Sequence, residues 1–165
     1  MIDSRSPHDE ALHLLHAPVC VVGTAVKGRS AGLTAAWVSR VSLDPVRILV
    51  AVSSERHTWG VLNESGAFSL SILREDQLDV GRLFGLKSGR EMDKWAQVAH
   101  VLLKRDHGVD IPALASCSAR ILCRTVNRVD LGDHEGFVGE VIASEIVGGG
   151  PALPMRGRDW IPSAE

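Results

Sequence analysis

The 165-residue chain has no tyrosine and only 4% aromatic residues. It therefore lacks the platforms on which unpaired nucleobases stack. Neither sign of charge prevails: 18 basic residues face 20 acidic ones, so no whole-protein field gathers nucleic acid or an acidic membrane. Apolar runs are short, the longest near residues 17–22, against the roughly 20 residues needed to cross a bilayer. The first ten residues carry acids and no apolar centre, so they do not read as a signal peptide, and the expected location is the cytoplasm.

Cysteine is scarce as well. The chain has three, with no CxxC pair and no cysteine or histidine at zinc-ligand spacing, so no metal is expected. Cys117 and Cys123 fall in what reads as one strand, which would hold them about 20 Å apart, beyond disulfide reach. All three cysteines read as buried small hydrophobes. A GxGxxG turn is also missing, which excludes a Rossmann nucleotide site.

What is present is ordinary globular composition, 45% apolar and 23% charged, in one domain's worth of chain. Ser6-Pro7-His8-Asp9 reads as a helix start, with the helix running to about Leu15. Strands are expected at 19–26, at 31–43 with a bend near the middle, and at 47–52. A short helix at 58–63 follows. The alternation of Phe68, Leu70 and Ile72 with Ser69 and Ser71 predicts a half-buried strand over 67–73. A surface helix over 76–84, a polar connection over 85–95 and two long strands over 113–127 and 136–147 complete the reading. No repeat or linker divides the chain, so residues 1–165 form one domain, its core at 18–147 and an extended tail at 148–165. Turns too short for crossover helices disfavour a parallel sheet. The fold class is mainly β: a split β-barrel of about six antiparallel strands, Greek-key in type, with a few peripheral helices.

The most informative stretch is GLTAAWVSRVSLDPVRILVAVSSERHT, residues 32–58. Gly32, Thr34, Ala35 and Ala36 bring little bulk, so a flat ring can lie against the backbone there. Ser53, Ser54, Arg56, His57 and Thr58 supply hydroxyls, a forked cation and a helix N-terminus, which together suit a phosphate monoester. A ring at one end and a phosphate at the other describe FMN. Each half has a plainer alternative: small residues also relieve crowding at a barrel bend, and Ser-Ser-Glu-Arg-His can be a solvated turn capped by Thr58.

Together with Ser88-Gly89-Arg90, Asp93-Lys94-Trp95, Gly132-Asp133-His134 and Phe137-Val138-Gly139-Glu140-Val141, this stretch resembles the flavin reductase-like family of FMN-binding split barrels, in its flavoredoxin-like branch. The resemblance covers residues 18–147. Ala36 stands where a serine is common and Val46 where a second proline is usual. The resemblance implies a flavin along the backbone of Thr34, Ala35, Ala36 and Trp37, a phosphate near Ser88, Arg90 and Lys94, and a second subunit beside that loop. It also implies a homodimer that hides outer strand faces such as RILVAV.

His134 borders the nicotinamide side of the flavin in the resembling enzymes, and its chemistry suits that place; a turn histidine held by Asp133 is the alternative. Trp37 reads as core or interface. The function implied is NAD(P)H:flavin oxidoreduction, NADH or NADPH binding transiently over FMN, with FAD the alternative flavin. The reduced flavin passes to a monooxygenase or another acceptor. An FMN electron carrier with little reductase activity and a barrel turned to haem or another ligand remain the rival readings.

Overall fold

The computed structural model describes residues 9–160. Helix α1 (Asp9–Leu12) ends three residues before the expected Leu15, and the expected start at Ser6 lies outside the described residues. Strand β1 (Cys20–Val26) turns through Lys27 and Gly28 into β2 (Arg29–Ala35). Gly28 takes a φ of 78°, the left-handed conformation this tight turn needs. The chain continues through Ala36 and Trp37 into β3 (Val38–Leu43), turns at Asp44 and Pro45, and returns as β4 (Val46–Ser53). Helix α2 (His57–Ser65), β5 (Ala67–Ile72) and helix α3 (Leu78–Leu86) follow. A short hairpin, β6 (His100–Leu103) and β7 (Ile111–Leu114), precedes the long strands β8 (Ala119–Asp130) and β9 (His134–Ile146).

Seven strands form one antiparallel sheet in the order β2-β1-β5-β8-β9-β4-β3. Strands β2 and β3 are consecutive in the chain yet lie at opposite edges of that sheet. The bend expected within 31–43 is therefore the seam at which the sheet curls round to meet itself. At the seam Ala51 donates its N–H to the Trp37 carbonyl (3.0 Å). The architecture is the expected split barrel; among the described residues its sheet has seven strands in place of about six, with the β6–β7 hairpin apart from it.

Strand β1 serves the three hydrophobic clusters among the described residues, alternate side chains going to either face. Inside the barrel lie Cys20, Val22, Val50, Val52, Phe68, Leu70 and Phe137. Outside it, Val19, Val21, Leu73, Phe84, Trp95 and Leu114 form a second cluster under α3 and the hairpin. This second layer corrects the half-buried strand. Ser69 and Ser71 are fully buried, because β7 covers them: Ser69 donates to the Pro112 carbonyl (2.6 Å) and Ser71 accepts from Leu114 N–H (3.0 Å). Gly23 lies at the same contact, where a Cβ would stand 2.0 Å from the Pro112 oxygen.

The expected strand over 113–127 is also corrected. Its first residues belong to β7, and Ala115–Ser118 turn the chain before β8, with Ser118 N–H on the Ile72 carbonyl (2.8 Å). Cys117 therefore does not share a strand with Cys123. All three cysteines are buried, and burial pushes the Cys20 and Cys123 thiols up to about 12. The described part of the tail is clamped and is not extended throughout: Leu153 is buried, accepts from Val19 N–H and donates to the Leu73 carbonyl, and a short 3₁₀ helix at Gly157–Trp160 packs Trp160 on Gly81 and Gly85.

Candidate functional site

The site is organised around the turn that joins β4 to α2. Ser53 ends β4 and its hydroxyl accepts from Glu55 N–H (3.3 Å). Ser54 is exposed at the turn. Arg56 occupies the N-cap position in extended conformation, and no side chain caps α2 there. The first N–H groups of the helix are thus free of a side-chain acceptor, and the positive end of the helix dipole faces outward. His57 opens the helix. Thr58 is only 3% exposed, so it offers its backbone more readily than its hydroxyl.

The C-terminus of α3 points at the same place and holds the cations. Arg56 donates to the Gly85 carbonyl (3.4 Å). Lys94 donates to the carbonyls of Phe84 (2.9 Å) and Lys87 (3.1 Å), satisfying acceptors that a helix end leaves open. Thr34 spends its hydroxyl on the Gly81 carbonyl (2.7 Å), which ties β2 to α3. This hydroxyl therefore anchors a helix, and the backbone of the stretch is what remains as a platform.

The connecting loop brings Gly89 against His57. A Cβ at Gly89 would stand 2.6 Å from His57 Cδ2, so any larger residue there would push the His57 ring aside. Arg90 donates to the Glu55 carbonyl (3.3 Å), and its N–H meets the Ser88 hydroxyl (3.2 Å). Asp93 accepts from Trp95 and Ala96 N–H groups, fixing the turn after Lys94. Among the described residues no carboxylate lies within ion-pair distance of Arg56, Arg90 or Lys94. Burial, followed by the charges of Arg90, Arg29 and Lys94, holds the His57 imidazole below its ordinary value. Burial, with the charge of Arg56, lowers Lys94 to about 8.

His57, Gly89 and Lys94, with Arg29, Ser30 and Trp95, line a cleft of about 280 Å³. Arg56, Arg90 and Ser54 stand outside that lining. Arg29 is a member that sequence reasoning missed. Its only signal was a second basic side chain at the Lys27-Gly28 turn, and nothing local shows that the turn faces α2.

A second group lies at the seam. Ala36 is half-buried and Trp37 is 61% exposed, so Trp37 is not a core residue. His134 starts β9 directly opposite Ser53. Its Nδ1 meets the Asp133 carboxylate (2.7 Å), and its ring centroid lies 4.6 Å from that of Trp37. Ser53 thus borders His134 on one side and opens the cationic turn on the other.

The donor set fits a phosphate. Cations without carboxylate partners, an uncapped helix N-terminus and a glycine approach together suit one anionic group. A seam of small residues lies next to it.

Residues 12–158 match the flavin reductase like domain family. The chain belongs to this family. It is 33% identical over 151 residues to an NADH:riboflavin 5'-phosphate oxidoreductase of Streptomyces pristinaespiralis, covering 88% of this chain and 78% of that one. It is 31% identical to the reductase component of a 4-nitrophenol 4-monooxygenase/4-nitrocatechol 2-monooxygenase of Rhodococcus opacus, covering 85% and 71%. Among solved structures it superposes with a TM-score of 0.79 on an FMN-binding protein from Thermus thermophilus, 32% identical, covering 89% and 85%. Two archaeal relatives are longer, and the chain spans only 52% and 62% of their lengths.

Proposed function

We propose that the protein is an NAD(P)H:flavin oxidoreductase that holds an FMN unit between the seam and the cationic cleft. The observation that carries this reading is the convergence of Arg56, Arg90 and Lys94, unpaired by carboxylates among the described residues, on the open N-terminus of α2 one strand-end away from His134. When bound, the flavin accepts a hydride from NADH or NADPH and passes reducing equivalents on.

The chain's own part is binding and orientation. Lys94 and Arg56, steadied by carbonyls of α3, meet the phosphate without a large rearrangement, and Arg90 and the α2 N–H groups add donors. Ala35 and Ala36 keep the platform low, so that backbone groups approach the ring. Asp133 accepts from Nδ1 of His134, which leaves Nε2 open toward a nicotinamide carboxamide.

The reading extends to assembly and delivery. Trp37 just before β3, and Val41 and Leu43 on it, are 61%, 51% and 76% exposed, apolar surface that suits pairing of two barrels beside the seam. The Rhodococcus relative supports delivery of reduced flavin to a monooxygenase. No helix among the described residues is long and apolar enough to cross a membrane, and a cytoplasmic setting fits the reduced, buried cysteines.

The test is flavin uptake followed by NADH and NADPH consumption. Consumption that needs added or bound FMN supports the reading. Uptake without consumption gives the electron-carrier alternative, and no uptake removes the site.

A further inference from the structure

Three carbonyls in the last two turns of α3 hold residues of the candidate site. Gly81 accepts from Thr34, Phe84 from Lys94 and Gly85 from Arg56. The C-terminal tail grips the same two turns. Gly81 and Gly85 stand one turn apart, and the Trp160 ring fills the notch between them: a Cβ would lie 2.8 Å from it at Gly81 and 3.0 Å at Gly85. Thr34 Cβ lies 3.3 Å from that same point at Gly85, so the indole meets the platform strand across a single glycine. We propose that Trp160 is a positioning residue for flavin binding, which sets α3 on β2 and so places Arg56 and Lys94 on the phosphate. This rests on the functional reading above, which puts the phosphate between those cations.

The tail is anchored on either side of this contact. Upstream, Leu153 is buried and hydrogen-bonded to Val19 and Leu73. Next to the indole, Arg82 of α3 donates to the Asp159 carbonyl (2.8 Å). Trp160 Nε1 has no hydrogen-bond partner among the described residues, so packing holds the indole in its notch. Phe84 over Gly32 and the Thr34 hydroxyl tie the helix to β2. The indole adds a contact from outside the sheet, which fixes the direction of the helix and hence of the end whose carbonyls steady the cations. Cations held in place meet a phosphate without the cost of ordering them first. The ring platform is fixed independently, because Thr34 and Ala35 pair with Val21 and Cys20 in the β1–β2 ladder. Trp160 therefore acts on the phosphate and not on the ring.

The experiment measures FMN and riboflavin affinity by quenching of flavin fluorescence in apoprotein, with urea unfolding to confirm that each variant is folded. Trp160→Ala should weaken FMN about tenfold and leave riboflavin within about twofold of wild type. Trp160→Phe, which keeps the packing without the N–H, should restore FMN to within about threefold of wild type. In an Arg56→Ala background Trp160→Ala should cost less than about threefold, since one of the cations it places is gone. Should Trp160→Ala fail to fold, Gly81→Ala carries the test. Its methyl displaces the indole while raising helix propensity, and it should weaken FMN in the same way.

FMN affinity unchanged in Trp160→Ala, or in Gly81→Ala, overturns the inference. So does equal loss of FMN and riboflavin, which would make the indole a wall of the ring site. A loss that recurs in full in the Arg56→Ala background, or that phenylalanine does not rescue, overturns it as well and leaves Trp160 a structural contact. Failure of the wild type to bind either flavin overturns the functional reading with it.

Discussion

Lys94 reaches back from its loop to donate a 2.9 Å hydrogen bond to the carbonyl of Phe84, while Phe84 itself is 1% exposed. The ammonium is held at a buried helix end beside Arg56, and burial together with that charge lowers its pKa from 10.5 to about 8. Below about pH 8 Lys94 is charged and attracts the phosphate; above it that attraction is lost. FMN affinity should fall about tenfold between roughly pH 7 and 9.5, the cost of one charge-assisted bond. Riboflavin, without a phosphate, should show no such slope, and Lys94→Met should abolish it for FMN. Stability of the free protein should move the other way. The unfolded chain keeps this proton to about 10.5 while the folded one releases it near 8, so stability rises with pH between those values. Calorimetric titration and urea unfolding across this range check both signs.

Arg56 stands at the N-cap and is exposed, and among the described residues a long bond to Gly85 is what holds its guanidinium. Arg56→Ala should weaken FMN by about 10- to 150-fold and riboflavin hardly at all. Equal losses for the two ligands would show that Arg56 does not touch the phosphate.

His134 lies at the seam and not in the cleft. His134→Ala should slow reduction of bound flavin by NADH or NADPH by up to about 10²-fold, the low end for groups that position or transfer protons. FMN affinity should stay near wild type. An unchanged rate at saturating nucleotide, with unchanged nucleotide affinity, would reduce His134 to a turn residue held by Asp133.

The exposed strip on β3 leads to an expectation about assembly. Sedimentation at micromolar concentration should show a dimer, and Val41→Glu should shift it to monomer. A monomeric wild type contradicts the pairing and leaves Trp37 a solvent-exposed indole.

The elements with local signals were legible in the sequence. The small residues of 32–36, the turn at Asp44 and Pro45 and the hydroxyl-rich start of α2 mark themselves, and the structure brings His134 opposite Ser53 through the β4–β9 register. What could not be read was long-range cover. Ser69 and Ser71 alternate like a solvent-facing edge, yet β7 supplies their partners from 43 residues away. The β6–β7 hairpin escaped because its strands are four residues each and carry no clear alternation. Arg29 escaped because only the closing of the barrel brings its turn to His57. Nothing near Thr34 shows where its hydroxyl goes, since its acceptor on α3 is 47 residues distant.

The most direct test of the central claim is anaerobic rapid mixing of FMN-loaded protein with NADH and with NADPH, following the flavin absorbance. The account predicts bleaching of one flavin per chain by at least one nucleotide, faster than free FMN reacts at the same concentration, and lost uptake of FMN in an Arg56→Ala, Lys94→Met double variant. Stably bound FMN that neither nucleotide bleaches faster than free FMN would contradict it.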